Sequence, residues 1–233
     1  MSNDDKAPVL TIDGPSGSGK GTVSQAVARK LGWNFLDSGA LYRLVALASQ
    51  TAGIDESDAP ALAALARTLD VRFEAAGPGR EERVLLAGRE VSREIRTEEC
   101  GNAASRVAAL PEVREALVDL QHSFREPPGL VADGRDMGTA IFPDAAVKIF
   151  LTASAMERAK RRHKQLNEKG LGASLDALYR EISERDARDA SRAISPLRPA
   201  ADARVIDTTG VPVEEVISKV LAAVAERTAG GPG

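Results

Sequence analysis

Gly14-Pro-Ser-Gly-Ser-Gly-Lys-Gly-Thr22 is the stretch that decides the fold of this chain. It follows a short apolar run that predicts a strand at residues 9–13, and it opens a predicted helix at residues 20–31. A glycine-rich turn between a strand and a helix is the context that a phosphate-binding loop requires. The backbone N–H groups of such a loop and the positive end of the helix dipole face phosphate oxygens, and Lys20 neutralises the outer phosphates. We therefore expect the phosphates of a nucleoside triphosphate to contact Gly14, Pro15, Ser16, Gly17, Ser18, Gly19, Lys20, Gly21 and Thr22.

The loop departs from the strict pattern in one place. A Ser or Thr usually follows the lysine and ligates magnesium. Here Gly21 follows Lys20, and the hydroxyl comes one position later, at Thr22. Direct ligation of a metal ion by Thr22 therefore stays an open alternative.

Three other interpretations of the loop have less support. An ordinary strand-to-helix turn does not need this combination of glycines, hydroxyls and a lysine. A dinucleotide-binding turn would use Asp37, which lies near the distance of a ribose-binding acid, but Gly17 and Gly19 do not continue into G-x-G-x-x-G. A GTPase would carry an Asn-Lys-x-Asp segment to read guanine, and the sequence has none.

The composition is that of one globular domain with inserted lobes. The chain has 233 residues, 43% of them hydrophobic, and its 31 Lys and Arg against 34 Asp and Glu give a net charge of -3. This balance gives no general attraction to nucleic acid or to an anionic membrane. The N-terminus does not resemble a targeting segment, and no apolar run approaches the ~18 residues of a membrane span. The lone Cys100 cannot form an internal disulfide. We expect a soluble cytoplasmic protein.

Short apolar runs alternate with segments of helical period, which indicates an α/β fold with parallel strands and crossover helices. The last helix is the clearest, because Val213, Val216, Val220 and Val224 form one apolar stripe. The predicted core strands are residues 9–13, 34–37, 130–133, 147–151 and 204–207.

Residues 38–129 are far longer than one crossover needs, so a lobe is inserted there. Within it the pattern predicts helices at 59–69, 98–108 and 111–125. Short strands are predicted at 71–75, 84–86 and 90–91, with a turn at 77–79.

Charged residues follow the ends of two predicted strands. Ser38 and Arg43 could hold a phosphate between them, or they could be a helix cap and a surface arginine. Asp133 resembles the carboxylate that holds magnesium in phosphate-loop enzymes, through water, and Arg135 and Asp136 leave the same strand end. A plain turn is the alternative for this second group.

Two further clusters lie on predicted helices. Arg158, Arg161 and Arg162 share one face that could close over phosphates or be a solvated basic surface. A second set, at i, i+4 and i+7 on another helix, could face a ligand or form only ion pairs; it consists of Arg185, Asp189 and Arg192. We assign no role to His122 or His163.

Several motifs, in this order along nearly the whole chain, resemble the bacterial cytidylate kinases. They are Ile12-Asp-Gly-Pro-Ser-Gly-Ser-Gly-Lys-Gly-Thr22, Asp37-Ser-Gly-Ala-Leu-Tyr-Arg43, Asn102-Ala-Ala-Ser105, Asp133-Gly-Arg-Asp-Met-Gly-Thr139, Phe142-Pro-Asp144, Lys148-Ile-Phe-Leu151 and Glu184-Arg-Asp186. The Gly21-Thr22 pair is usual for nucleoside monophosphate kinases.

The resemblance implies an adenylate-kinase-like phosphate-loop fold with a five-stranded parallel core. The core would comprise 7–37, 130–153 and 171–228. Residues 38–129 would be the monophosphate-binding lobe with its insert, 154–170 the helical lid, and 1–6 and 229–233 tails.

The resemblance also implies the roles of the site residues. Ser105, Arg114, Asp136 and Arg192 would surround cytosine, Arg185 and Asp189 would approach the ribose, and Ser38, Arg43 and Arg135 would hold the acceptor phosphate. The catalytic charges would come from Lys20, Arg135, Arg158 and Arg162.

The activity implied is transfer of the ATP γ-phosphoryl group to CMP or dCMP, with Mg2+ accompanying ATP. Nucleotides would be the partners of a monomer that binds neither nucleic acid nor membranes. Two alternatives stay open. One is a kinase of UMP or of a non-nucleotide metabolite, and the other is a regulator that binds ATP without turnover.

Overall fold

The computed structural model describes residues 6–74, 83–168 and 172–229. The described chain divides into two compact units. The first contains the residues up to Asp37 and from Gln121 onward, and the second is Ser38–Leu120.

A five-stranded parallel sheet forms the first unit, with the strand order β2-β6-β1-β7-β8. All five residues of β1 and of β6 are buried, as expected for central parallel strands covered on both faces. The strands are β1 (Val9–Asp13), β2 (Asn34–Asp37), β6 (Leu130–Gly134), β7 (Val147–Thr152) and β8 (Arg204–Asp207).

The register brings the carboxyl ends of the central strands to the same edge of the sheet. Asp13 is paired with Gly134, and Asp37 is paired with Asp133. Acidic side chains from three neighbouring strands therefore end at this edge, which is where parallel α/β sheets hold their ligands.

Two helices cover one face of the sheet with apolar stripes. Val23 and Val27 of α1 (Lys20–Leu31), together with Val216 and Val220 of α9 (Val213–Ala229), pack in one core cluster with Ile12 and other strand residues. Helices α7 (Ala155–Glu168) and α8 (Leu175–Ala190) complete the first unit.

The second unit contains short helices and a three-stranded antiparallel sheet in the order β3-β4-β5. Asp58 and Thr97 cap α3 and α4, because their side chains accept the backbone N–H groups of Ala61 and Cys100. In chain order the elements are α2 (Ser38–Ala52), α3 (Ala59–Arg67), β3 (Val71–Glu74), β4 (Arg83–Leu86), β5 (Arg89–Glu90), a 3-10 turn (Glu94–Arg96), α4 (Glu98–Val107), α5 (Pro111–Ala116) and α6 (Val118–His122), which ends just past the boundary.

The α/β class and all five predicted core strands are confirmed. The single helix predicted at 111–125 is wrong, because the chain forms two short helices with a break at Leu117. The N–H of Leu117 bonds to Arg114 O as well as to Val113 O, which tightens the turn and ends α5. The predicted turn at 77–79, Ala75, the last lid residues 169–170 and most of both tails lie outside the described residues. Among the described helices, none combines the length and the apolar character needed to cross a bilayer.

Candidate active site

The loop at residues 14–22 joins β1 to α1 as predicted. Gly14 touches β7, since a Cβ there would lie 2.1 Å from the carbonyl oxygen of Leu151. Gly19 begins the helix with a φ of 90°, a backbone conformation that favours glycine. The Nζ of Lys20 lies 3.3 Å from Pro15 O, to which it donates, so the lysine folds back over its own loop.

Lys20 and Asp133 form the charged centre at the edge of the sheet. Burial of the Lys20 ammonium and the nearby charge of Arg135 lower its pKa to about 8, against the opposing effects of Asp133 and Asp37. Burial likewise raises the pKa of Asp133 to about 7, against the opposing effect of Lys20. A Cβ on Gly21 would lie 3.5 Å from Oδ2 of Asp133, so this carboxylate faces the start of α1.

Asp189 forms ion pairs with two of the arginines predicted for the site. Its Oδ2 accepts from Arg135 Nε at 2.6 Å, and its Oδ1 accepts from Arg192 Nη2 at 2.5 Å. Burial disfavours the charge of Asp189, but Arg135, Arg192 and Arg185 outweigh burial and hold its pKa below the usual range. The ion pairs expected as an alternative for this cluster are therefore present.

The helical spacing predicted for Arg185, Asp189 and Arg192 is only partly correct. The first two lie on α8, which ends at Ala190, whereas Arg192 follows in the loop. Arg192 still reaches Asp189, because it follows only three residues later, and the loop beyond it turns back so that Leu197 N donates to Asp189 O at 2.8 Å.

Asp136 follows the end of β6 and precedes a π-helical turn, Met137–Ile141. It is 3% exposed. The carboxylate of Asp13 accepts the N–H groups of Met137 and Gly138, both at 2.8 Å. Sequence reasoning gave no role to Asp13, and its position at the end of β1 is the one signal that could have indicated it.

Arg158 is buried and its guanidinium is bound by other protein groups. Its Nε donates to Ala153 O, its Nη1 donates to Ser16 O at 3.0 Å, and both Nη atoms donate to the carboxylate of Asp186. A solvated surface position is thus wrong for Arg158. Asp186, which lies on α8 and had no predicted role, links α8 to α7 through this pair.

The other two arginines of α7 differ from Arg158. Arg161 donates to both oxygens of Thr208, and its Nη1 also lies 3.4 Å from Ser18 O of the phosphate loop. Arg162 is half-buried and donates to Gln165, one turn further along α7. The structure thus ties Arg158 and Arg161 directly to the backbone of the phosphate loop.

In the second unit, Arg43 is held by backbone carbonyls. Its Nη1 donates to Ile95 O at 2.6 Å and to Thr97 O at 3.2 Å. Ser38 begins α2 and is buried. Arg43 is therefore oriented rather than free on the surface.

Arg114 and Ser105 are also buried in the second unit. Arg114 donates to Ala108 O at 3.1 Å, and its Cζ lies 5.5 Å from the ring centroid of Tyr42, within range of a cation–π contact. Ser105 lies on α4 and Arg114 lies on α5.

Comparison with known proteins indicates the family of this chain. The sequence model of the family described as cytidylate kinase matches residues 10–226. The cytidylate kinase of Bordetella bronchiseptica is 59% identical over 215 residues, which cover 92% of this chain and 94% of that protein. The cytidylate kinase of Methylococcus capsulatus is 59% identical over 220 residues, which cover 94% of this chain and 98% of that protein.

One solved structure supports the fold alone. The crystal structure of an uncharacterized protein from Eubacterium ventriosum is 12% identical, with a TM-score of 0.50 over 95% of this chain and 99% of that chain. The family match and the 59% identities extend over nearly the whole sequence. This chain therefore belongs to the cytidylate kinase family.

Proposed function

We propose that this chain catalyses the reversible transfer of the γ-phosphoryl group of ATP to CMP and dCMP, giving ADP and CDP or dCDP. The family match over residues 10–226 is the observation that carries this proposal. The phosphate loop, its lysine and the carboxylates at the same sheet edge supply the chemistry that such a transfer needs.

We place the triphosphate of ATP on residues 14–22. Gly19 is the N-cap of α1, so the backbone N–H groups of the first turn, together with Lys20, would face a bound anion. Bound phosphates would favour the charged form of Lys20 and so reverse the shift that lowers its pKa in the free protein. Lys20, with Arg135 and the α7 arginines Arg158 and Arg162, would stabilise the charge that moves between the two nucleotides.

A divalent cation bound with ATP would neutralise part of the charge of the phosphates. The buried carboxylate of Asp133 fits a position beside this cation, because it faces Gly21 at the start of α1. We propose that Asp133 holds Mg2+ through water, and Thr22, exposed in the first turn of α1, is the second candidate.

For the acceptor we propose two groups of residues, each within one unit. In the first unit, Arg135 would bind the acceptor phosphate, Asp136 and Arg192 the cytosine, and Arg185 and Asp189 the ribose. In the second unit, Ser38 and Arg43 would bind the phosphate, and Ser105 and Arg114 the cytosine. The carbonyls that orient Arg43 and the ring beneath Arg114 support these two assignments.

The acceptor is already a phosphate anion, so the transfer needs no strong general base. Positioning and neutralisation of charge account for most of the rate. We propose that residues 154–170, which include α7, act as a lid over the core formed by 7–37, 130–153 and 171–228. Closure of the lid would exclude water, which competes with CMP as an acceptor. The monomeric state and the cytoplasmic location stay predictions.

A coupled assay of ADP release tests the proposal against both alternatives. It is run with CMP, dCMP, UMP or no acceptor at saturating ATP and Mg2+. We expect rapid release with CMP and dCMP, slow release with UMP, and little release without an acceptor. Equal rates with UMP would indicate a kinase of broader specificity, and tight ATP binding without acceptor-dependent turnover would indicate a regulator.

A further inference from the structure

Asp13 connects two segments that are far apart in the sequence. It ends β1, directly before the phosphate loop, and it is 5% exposed. Its Oδ1 accepts the backbone N–H of Met137, and its Oδ2 accepts that of Gly138, each at 2.8 Å. Both carboxylate oxygens are therefore bound to the two residues that immediately follow Asp136.

The turn after Asp136 is also packed against β1 and β6. A Cβ on Gly138 would lie 2.8 Å from Oγ1 of Thr11, and a Cβ on Gly134 would lie 2.6 Å from Cγ of Met137. The carbonyl of Asp136 accepts the N–H of Ala140 at 2.8 Å. Strand β6 thus fixes the backbone before Asp136, and Asp13 fixes it after.

We propose that Asp13 is a positioning residue that sets the placement of Asp136 and thereby the preference for cytosine over uracil, an inference that rests on the proposed function of Asp136. Asp13 does not contact the substrate in this account, because both of its oxygens are bound to the turn. It acts through the backbone that carries Asp136.

A carboxylate suits this role better than the amide of the same shape. Two acceptor oxygens satisfy two backbone N–H groups that point the same way. An asparagine offers one oxygen, and its NH2 would face the second N–H, which would leave a buried donor unpaired. Asp13→Asn therefore changes the hydrogen bonding of the turn with almost no change in volume.

The test compares Asp13→Asn with wild type and with Asp202→Asn. Asp202→Asn is a matched control, since it makes the same carboxylate-to-amide change at an exposed carboxylate, which pairs with Lys148. The readouts are kcat and KM for CMP and UMP, KM for ATP, and the thermal unfolding midpoint. We expect Asp13→Asn to lower kcat/KM for CMP by about tenfold to a hundredfold, mainly through KM, with a much smaller change for UMP and for ATP.

If Asp13 only stabilised the fold, Asp13→Asn would change the kinetics for all substrates alike. Equal losses for CMP, UMP and ATP, or an unchanged ratio of CMP to UMP, would overturn the inference. Asp202→Asn should match wild type in every kinetic readout.

Gly138→Ala is the second variant, which decides the question if Asp13→Asn does not fold. It keeps the Asp13 carboxylate but pushes the same turn away from Thr11, because its Cβ would lie 2.8 Å from Oγ1. We expect the same selective loss of CMP use, and an unchanged ratio of CMP to UMP use would overturn the inference.

Wild type and Asp136→Asn separate this test from the proposed function. If wild type does not prefer CMP, the role of Asp136 fails. If Asp136→Asn narrows the preference and neither Asp13→Asn nor Gly138→Ala does, only the inference about Asp13 fails.

Discussion

The Nε of Arg135 donates to Oδ2 of Asp189 across 2.6 Å, and this bond joins the residues after β6 to helix α8. The side chain of Asp189 is 1% exposed and that of Arg135 is 15% exposed. The other oxygen of Asp189 accepts from Arg192, so one buried carboxylate neutralises two arginines.

Replacing Asp189 by Ala should therefore destabilise the fold. The substitution leaves two largely buried guanidinium groups without their carboxylate, and breaking a buried ion pair in this way costs roughly 3–5 kcal/mol. Urea unfolding of Asp189→Ala checks the loss. The control is Glu226→Ala, which breaks the exposed ion pair with Arg204 and should cost about 0–1 kcal/mol. Equal stabilities of the two variants would show that Asp189 is not required to neutralise these arginines.

Lys20→Ala should lower kcat by roughly a thousandfold or more, because the lysine is most needed as charge moves toward the leaving oxygen. The fold should stay intact, since the Nζ of Lys20 donates to Pro15 O within its own loop. Steady-state kinetics with a circular dichroism spectrum check both statements. Near-normal turnover in a folded variant would remove Lys20 from the catalytic groups.

Binding of ATP should take up a proton above pH 8. In the free protein the pKa of Lys20 is lowered from 10.5 to about 8, so at pH 9 the amine is mostly neutral. The triphosphate favours the ammonium form and raises this pKa again, so at pH 9 binding takes up a proton at Lys20, whereas at pH 7 the lysine contributes little because it is already charged. Calorimetry at pH 9 in two buffers of different ionisation enthalpy measures the uptake. Lys20→Met is the control, and an uptake of the same size in this variant would assign the proton to another group.

Substitution of Arg158 and substitution of Arg162 should affect the stability of the fold differently, although both residues lie on α7. Arg158→Ala breaks the partly buried pair with Asp186 and removes the bond to Ser16 O, so it should lower the unfolding midpoint more than Arg162→Ala does. Both variants should lose transfer rate more than CMP affinity, since we assign the lid to the triphosphate. Kinetics and calorimetric titration with CMP separate the two effects, and a loss of CMP affinity at constant kcat would place Arg162 in the acceptor site instead.

The sequence predicted what depends on neighbouring residues in the chain. The strand, glycine loop and helix at residues 9–31 form one local unit, and their bounds are as expected. The five apolar runs predicted the core strands for the same reason. The helix at 111–125 was predicted too long, because the break at Leu117 depends on a tighter hydrogen bond that apolar spacing does not reveal.

Long-range contacts in the candidate site could not be predicted. Asp13 and the turn after Asp136 are more than a hundred residues apart, and only the pairing of β1 with β6 brings them together. The same holds for Asp186, whose partner Arg158 lies on another helix. A carboxylate that binds backbone N–H groups has no distinctive sequence pattern, so these positions were read as a strand end and a helix residue.

The preference for CMP over UMP shows whether Asp136 and the nearby arginines recognise the cytosine base. Cytosine presents an amino donor and an N3 acceptor where uracil presents a carbonyl oxygen and an N3–H. The side chain of Asp136 can accept from the amino group, and an arginine such as Arg114 or Arg192 can donate to N3, so uracil reverses two contacts. We expect this reversal to cost roughly 2–5 kcal/mol, on the order of thirty- to several-thousand-fold in kcat/KM.

The measurement is kcat/KM for CMP and for UMP with wild type and with Asp136→Asn. The account requires a strong wild-type preference for CMP. It also requires a smaller preference in Asp136→Asn, because the amide can turn its NH2 toward O4 of uracil. Equal wild-type values for CMP and UMP would contradict the account, since they would show that Asp136 and its neighbouring arginines do not read the cytosine edge.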